Sequence, residues 1–73
     1  MSKLPILSWR EVVKALSKKG FKVIRQRGSH LILEGPEHRF TVVPRHETIA
    51  PATLIKILAQ AGVTKEEFIR LLD

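Results

Sequence analysis

The chain has no cysteine, so neither a disulfide scaffold nor a thiolate metal site is open to it. Asparagine and tyrosine are absent, tryptophan occurs once, and Met1 is the only methionine. Depletion of thermolabile residue types is a trait of thermophile proteins. No apolar run approaches the roughly 20 residues of a membrane span. The opening Met1-Ser2-Lys3-Leu4-Pro5-Ile6-Leu7 is too short and too interrupted to read as a secretory signal. A cytoplasmic location is therefore the expectation. There is no linker, repeat or low-complexity stretch, so residues 1–73 are expected to form a single domain. A chain of this length buries only about 60% of its unfolded surface. That leaves room for one core and a surface site, but not for a deep pocket, so no small-molecule cofactor is expected.

Acid is scarce where base is abundant. Residues 1–46 carry ten Lys/Arg against Glu11, Glu34 and Glu37, a balance of +7. Residues 47–73 carry three against four acids, a balance of −1. Lys18, Lys19, Lys22, Arg25 and Arg27 follow one another with no acidic residue between Glu11 and Glu34. Such asymmetry points to a polyanionic partner, most often nucleic acid. A solvated face that only maintains solubility is the plain alternative.

Local signals give an order of elements. Ser8-Trp9-Arg10-Glu11 reads as a capping box opening a helix to about Lys19, with Trp9, Val12, Val13 and Leu16 on one stripe. Gly20 ends it. Phe21–Gln26, His30–Glu34 and Arg39–Val43 read as strands, joined closely enough to favour an antiparallel meander. Gly35-Pro36-Glu37 is the second turn. Pro51 suits the first turn of another helix, which carries Leu54, Ile55, Leu58 and Ala61 and stops at Gly62. Thr64-Lys65-Glu66-Glu67 reads as a second capping box, opening a last helix with Phe68, Leu71 and Leu72 inward. The fold class is α+β, in the order α-β-β-β-α-α, with helices on one face of the sheet and the other face open. If Leu31 and Leu33 face the helices, alternation sends His30 to the open face.

The chemistry centres on Gly28-Ser29-His30. Glycine lets a backbone approach a ligand closely, and the Gly28 and Ser29 amides suit an anion nest. A histidine with its ordinary pKa of about 6.5 suits proton transfer near neutrality. His30 therefore reads as a general base, or as a strand residue in an ordinary hairpin. The spacing of His30, His38 and His46 matches no metal motif. RNA carries its own 2′-hydroxyl nucleophile, so one base and a few cations suffice on it. DNA lacks that group, so a nuclease of this composition favours RNA. Lys22, Arg25 and Arg27 are the candidates to neutralise phosphate. His46 is a secondary candidate, as a proton donor or a loop-positioning residue. Trp9 sits at helical spacing with apolar neighbours and reads as core. A non-catalytic double-stranded-RNA-binding module using the same basic face is the other reading.

Ser8-Trp9-Arg10-Glu11, Lys19-Gly20-Phe21, Arg27-Gly28-Ser29-His30, Val43-Pro44-Arg45-His46, Leu54-Ile55-Lys56-Ile57-Leu58 and Ala61-Gly62 leading to Glu67-Phe68 follow one another in this order. The pattern resembles the HicA toxins, the mRNA interferases of HicA–HicB toxin–antitoxin pairs. The resemblance spans nearly the whole chain. It implies a double-stranded-RNA-binding-domain-like fold, metal-independent endoribonuclease activity on mRNA, growth arrest, and inhibition by a HicB-type antitoxin protein. It implies that His30 is the catalytic histidine, with Gly28 and Ser29 in its motif. His46 matches a recurrent family position.

Overall fold

The structure, a computed structural model, describes residues 4–72; Met1–Lys3 and Asp73 lie outside the described residues. The first helix, α1, runs over Trp9–Ser17. Ser8 caps it as a complete capping box: its hydroxyl accepts from the Glu11 amide at 3.4 Å, and the Ser8 amide donates to the Glu11 carboxylate at 2.9 Å. Val12, Ala15 and Leu16 are its buried stripe, while Trp9 and Val13 are half-buried against the same core. The helix closes through Gly20, whose φ is +101°, with the Phe21 amide reaching back to the Leu16 carbonyl at 3.1 Å.

Three strands follow: β1 (Lys22–Arg27), β2 (His30–Glu34) and β3 (Phe40–Pro44), antiparallel in the order β1-β2-β3. The limits of β2 are those expected. β1 and β3 each start and end one residue later than expected, and Phe21, just ahead of β1, is buried. Leu31 and Leu33 of β2 and Thr41 and Val43 of β3 point inward, and their neighbours do not. Between β2 and β3 a short 3-10 segment, Pro36–His38, is kinked at Glu37, and Glu37 and His38 both adopt positive φ, at 61° and 58°.

Two more helices follow: α2 (Pro51–Ala61), which packs on β3 beside α1, and α3 (Lys65–Leu71), which packs on α1 and α2. Pro51 sits at the start of α2, and Gly62, with φ +72°, ends it. The buried residues of α2 are Leu54, Ile57, Leu58 and Ala61. Ile55, expected inward, is 52% exposed. Ile57 takes its place because α2 docks on β3 through that side. There the Thr41 hydroxyl lies 3.0 Å from the Ile57 carbonyl and 3.0 Å from Gln60 Oε1, which also accepts the Val42 amide at 3.1 Å. Gln60 thus covers part of the outer edge of β3 and satisfies a buried hydroxyl.

The second capping box forms only by half. Thr64 caps α3 by accepting from the Glu67 amide at 3.1 Å. The Glu67 carboxylate turns instead to Lys19 beyond the end of α1. The Lys19 ammonium, hydrogen-bonded to it, holds the Glu67 carboxyl below its usual value. That contact is present above the carboxylate range and fades as pH falls through it. Lys19 is therefore drawn out of the basic run into a tie between helices. The N-terminal segment joins the same core by a bridge, the Ile49 amide donating to the Leu7 carbonyl at 2.7 Å. Among the described residues, no helix is long and apolar enough to cross a membrane.

Candidate functional site

The face of the sheet away from the helices carries three cross-strand rows. Arg27 pairs with His30, and His30 with Pro44. Arg25 pairs with Ile32, and Ile32 with Val42. Lys22 pairs with Glu34, and Glu34 with Phe40. Directly opposed residues of an antiparallel pair share a face. His30 is exposed on that face, as alternation along β2 requires. The cations of β1 form one edge of it.

Their alignment depends on an irregularity. In a regular strand Lys22 and Arg25, three residues apart, lie on opposite faces. Between Val23 and Arg25 the register shifts, and Ile24 has no cross-strand partner. This bulge reverses the alternation once. Lys22, Arg25 and Arg27 consequently all face the side that holds His30. All six residues of β1 are exposed, so the row remains solvated. The one acid on the face, Glu34, has its carboxylate 3.4 Å from Nδ1 of His38.

The turn joining β1 to β2 is Gly28-Ser29. Gly28 has φ +59°, and Ser29 is not among the residues with positive φ. Positive φ at the first central position alone is the type II′ pattern, which favours glycine there. A Cβ added at Gly28 would meet nothing within 4 Å, so the need for glycine is conformational and the space above the turn is open. The turn is held from both sides. Gln26 Nε2 donates to the Gly28 carbonyl at 3.0 Å, and the Arg45 amide donates to the Ser29 carbonyl at 2.6 Å. Among the described residues, neither the Gly28 nor the Ser29 amide donates to another backbone or side-chain group. Both remain available to an anion.

The segment after β3 completes this end of the sheet. The His46 amide donates to the Pro44 carbonyl at 2.8 Å, and the Trp9 amide donates to the His46 carbonyl at 3.0 Å. His46 is exposed, two residues beyond Pro44, the partner of His30. The Arg45 guanidinium lies 5.2 Å from the centre of the Trp9 ring, and that of Arg10 lies 4.8 Å from it. Arg10 also makes two contacts to the Glu47 carboxylate, at 3.0 and 3.1 Å. Trp9 thus packs against the core, as expected, and is also a half-buried seat for two cations. Surface clefts among the described residues lie elsewhere. One is lined by residues including Leu7, Lys14 and Leu72, another by residues including Lys19, Phe21 and Arg39, and a third by residues including Ile55, Leu58 and Lys65; His30 borders none of these. A shallow, open, cationic face suits a polymer better than a small molecule.

The sequence of the family described as HicA toxin of bacterial toxin–antitoxin matches residues 9–63, well over half of the chain. The chain belongs to the HicA toxin family. Comparison with curated proteins gives no match. The HicA match includes every residue of the three cross-strand rows and ends before α3.

Of the candidates from the sequence, Lys22, Arg25, Arg27 and His30 share one face, with Gly28 and Ser29 in the turn at its end and His46 just beyond. Lys19 separates from them. Arg45 is the residue that sequence reasoning passed over. Its motif was visible, but its approach to Ser29 and Trp9 depends on chain segments distant in sequence.

Proposed function

We propose that this HicA-family protein is a toxin endoribonuclease that cleaves mRNA through His30. The observation that carries the reading is the shared face: one exposed histidine lies in line with three cations and beside a turn with two available amides. The imidazole of His30 takes the proton from a ribose 2′-hydroxyl. The 2′-oxygen then forms a bond to the adjacent phosphorus as the bond from phosphorus to the 5′-oxygen breaks. The products are a 2′,3′-cyclic phosphate and a 5′-hydroxyl, the second completed by a proton delivered to the leaving oxygen. His46 is the second histidine at this end of the sheet and the candidate for that delivery. Arg27, Arg25 and the Gly28 and Ser29 amides oppose the charge that builds on phosphorus. No step draws on a metal, because the nucleophile belongs to the substrate.

The test is a synthetic RNA carrying one 2′-deoxy sugar at an otherwise cleaved step, incubated with the protein in EDTA. Cleavage is expected to vanish at that step and to persist at the others, with cyclic phosphate on the products. Equal cleavage at the deoxy step excludes the 2′-hydroxyl mechanism. Binding without cleavage anywhere leaves an RNA-binding module.

Regulation follows from the same surface. A HicB-type antitoxin in the cytoplasm neutralises the toxin by covering the open face, and an acidic surface on it complements Lys22 and Arg25. Charge reversal in the toxin, Lys22→Glu with Arg25→Glu, is expected to abolish complex formation in a pull-down with the antitoxin. An unchanged complex places the contact elsewhere.

A further inference from the structure

We infer that Phe40, with Ile32 and Val42, forms a nucleobase subsite for a single-stranded stretch of the RNA, on the open face at the end away from the Gly28-Ser29 turn. The inference rests on RNA being the substrate, as proposed above. Phe40 is 49% exposed and Val42 36% exposed, and Ile32 is half-buried between the strands that flank it. Scattered exposed apolar side chains are ordinary on a small protein. These three are contiguous: Ile32 pairs with Val42, and Phe40 lies two residues along β3 on the same side. The helices cover the opposite face, so among the described residues no helix or loop packs on this patch.

Charge selects the occupant. Lys22, Arg25 and Arg27 run along β1, about 10 Å across the sheet from β3 at the usual strand spacing. A nucleic-acid strand whose phosphates follow β1 directs its bases over β2 towards Phe40 and Val42. Cationic track and aromatic platform together are the equipment of single-strand binding, because every base has a face that stacks. A duplex cannot use it, since its bases are already stacked and offer only their edges. An RNA strand meets the cations with its phosphates and the patch with its bases in one ligand, and an antitoxin over the same face would compete with it. The Phe40 row lies about 13 Å along β2 from the His30 row, counting four residues of strand. The base held at Phe40 is therefore not the one at the cleaved bond, and the subsite sets which sequence is presented to His30.

The experiment measures binding without cleavage. Uncleavable 2′-O-methyl oligonucleotides, single-stranded or annealed to a complement, are titrated with wild type, Phe40→Ala and Phe40→Tyr by fluorescence anisotropy. Phe40→Ala is expected to weaken single-strand binding about 5- to 100-fold, to change duplex binding less than about twofold, and to leave the salt dependence unaltered because no phosphate contact is lost. Phe40→Tyr keeps the ring and keeps the affinity. Equal loss on single strand and duplex, or no loss on either, overturns the subsite; the second result leaves the patch to a protein partner. Failure of wild type to bind any RNA overturns the RNA reading itself, a separate outcome. Thermal melts of the three proteins are expected to coincide, since the ring is half exposed.

Discussion

His30→Ala is expected to slow RNA cleavage by about 10²–10⁴-fold while leaving RNA binding intact. A positioned general acid or base supplies about that factor, equivalent to roughly 3–5 kcal/mol of barrier. The loss falls on the chemical step, because the cations that hold phosphate are separate side chains on β1. Single-turnover cleavage of labelled RNA reads the rate, and anisotropy on an uncleavable strand reads the binding. Stability gives the control. His30 is exposed at the first position of β2 and contributes nothing to the buried core. Surface changes of this kind move stability by less than about 0.5 kcal/mol, so an inactive His30→Ala protein will also be a folded one. In cells the same variant is expected to permit growth when expressed without an antitoxin. A variant that cleaves as fast as wild type removes His30 from the chemistry, and the base must then be sought in His46.

His30 was accessible to sequence reasoning because β2 is a strand of the simplest kind. One face is buried and the other open, so Leu31 and Leu33 fix the direction of every neighbour. The Ser8 capping box was equally legible, being completed within four residues. β1 offers no such signal. All its residues are exposed, so no apolar pattern marks its faces or reveals the extra residue at Ile24. Plain alternation separates Lys22 from Arg25 and Arg27; only the pairing with β2 shows that they share the face of His30. Other departures have the same origin in distant partners. Leu54, Leu58 and Ala61 fit a helical stripe that can lean towards Ile55 or Ile57, and docking on β3 selects Ile57. Glu67 stands where a capping residue belongs, yet Lys19, 48 positions away, holds its carboxylate. Arg45 approaches Ser29 from 16 positions away in the sequence. Composition located the charge, but packing decided where it faces.

Phe68→Ala is expected to destabilise the fold by about 3–5 kcal/mol, the usual cost of removing a buried phenylalanine. A chain of this length has a total stability of about 4–11 kcal/mol, so the change consumes much or all of it. Phe68 is 0% exposed and heads the largest fully buried side chains. It lies on α3, a helix of seven residues, too short to hold its shape without tertiary contacts. Among the described residues, Thr64, the tie from Glu67 to Lys19 and the apolar side chains Phe68, Leu71 and Leu72 hold this end of the chain in place. Loss of the one fully buried anchor opens a cavity beside α1 and α2, against which α3 packs. Urea unfolding followed by circular dichroism reads the effect as a lower midpoint at an unchanged slope. A loss below about 1 kcal/mol would mean that the core closes without Phe68. The outcome bears on function because the family match stops at residue 63, before α3, whereas the core does not stop there. His30 and the β1 cations sit on a three-stranded sheet whose other face must be covered for it to persist. The helix outside the match braces α1 and α2, which themselves pack on the sheet, and Phe68→Ala is expected to lose cleavage in proportion to the unfolded fraction, whereas His30→Ala loses it with the fold intact.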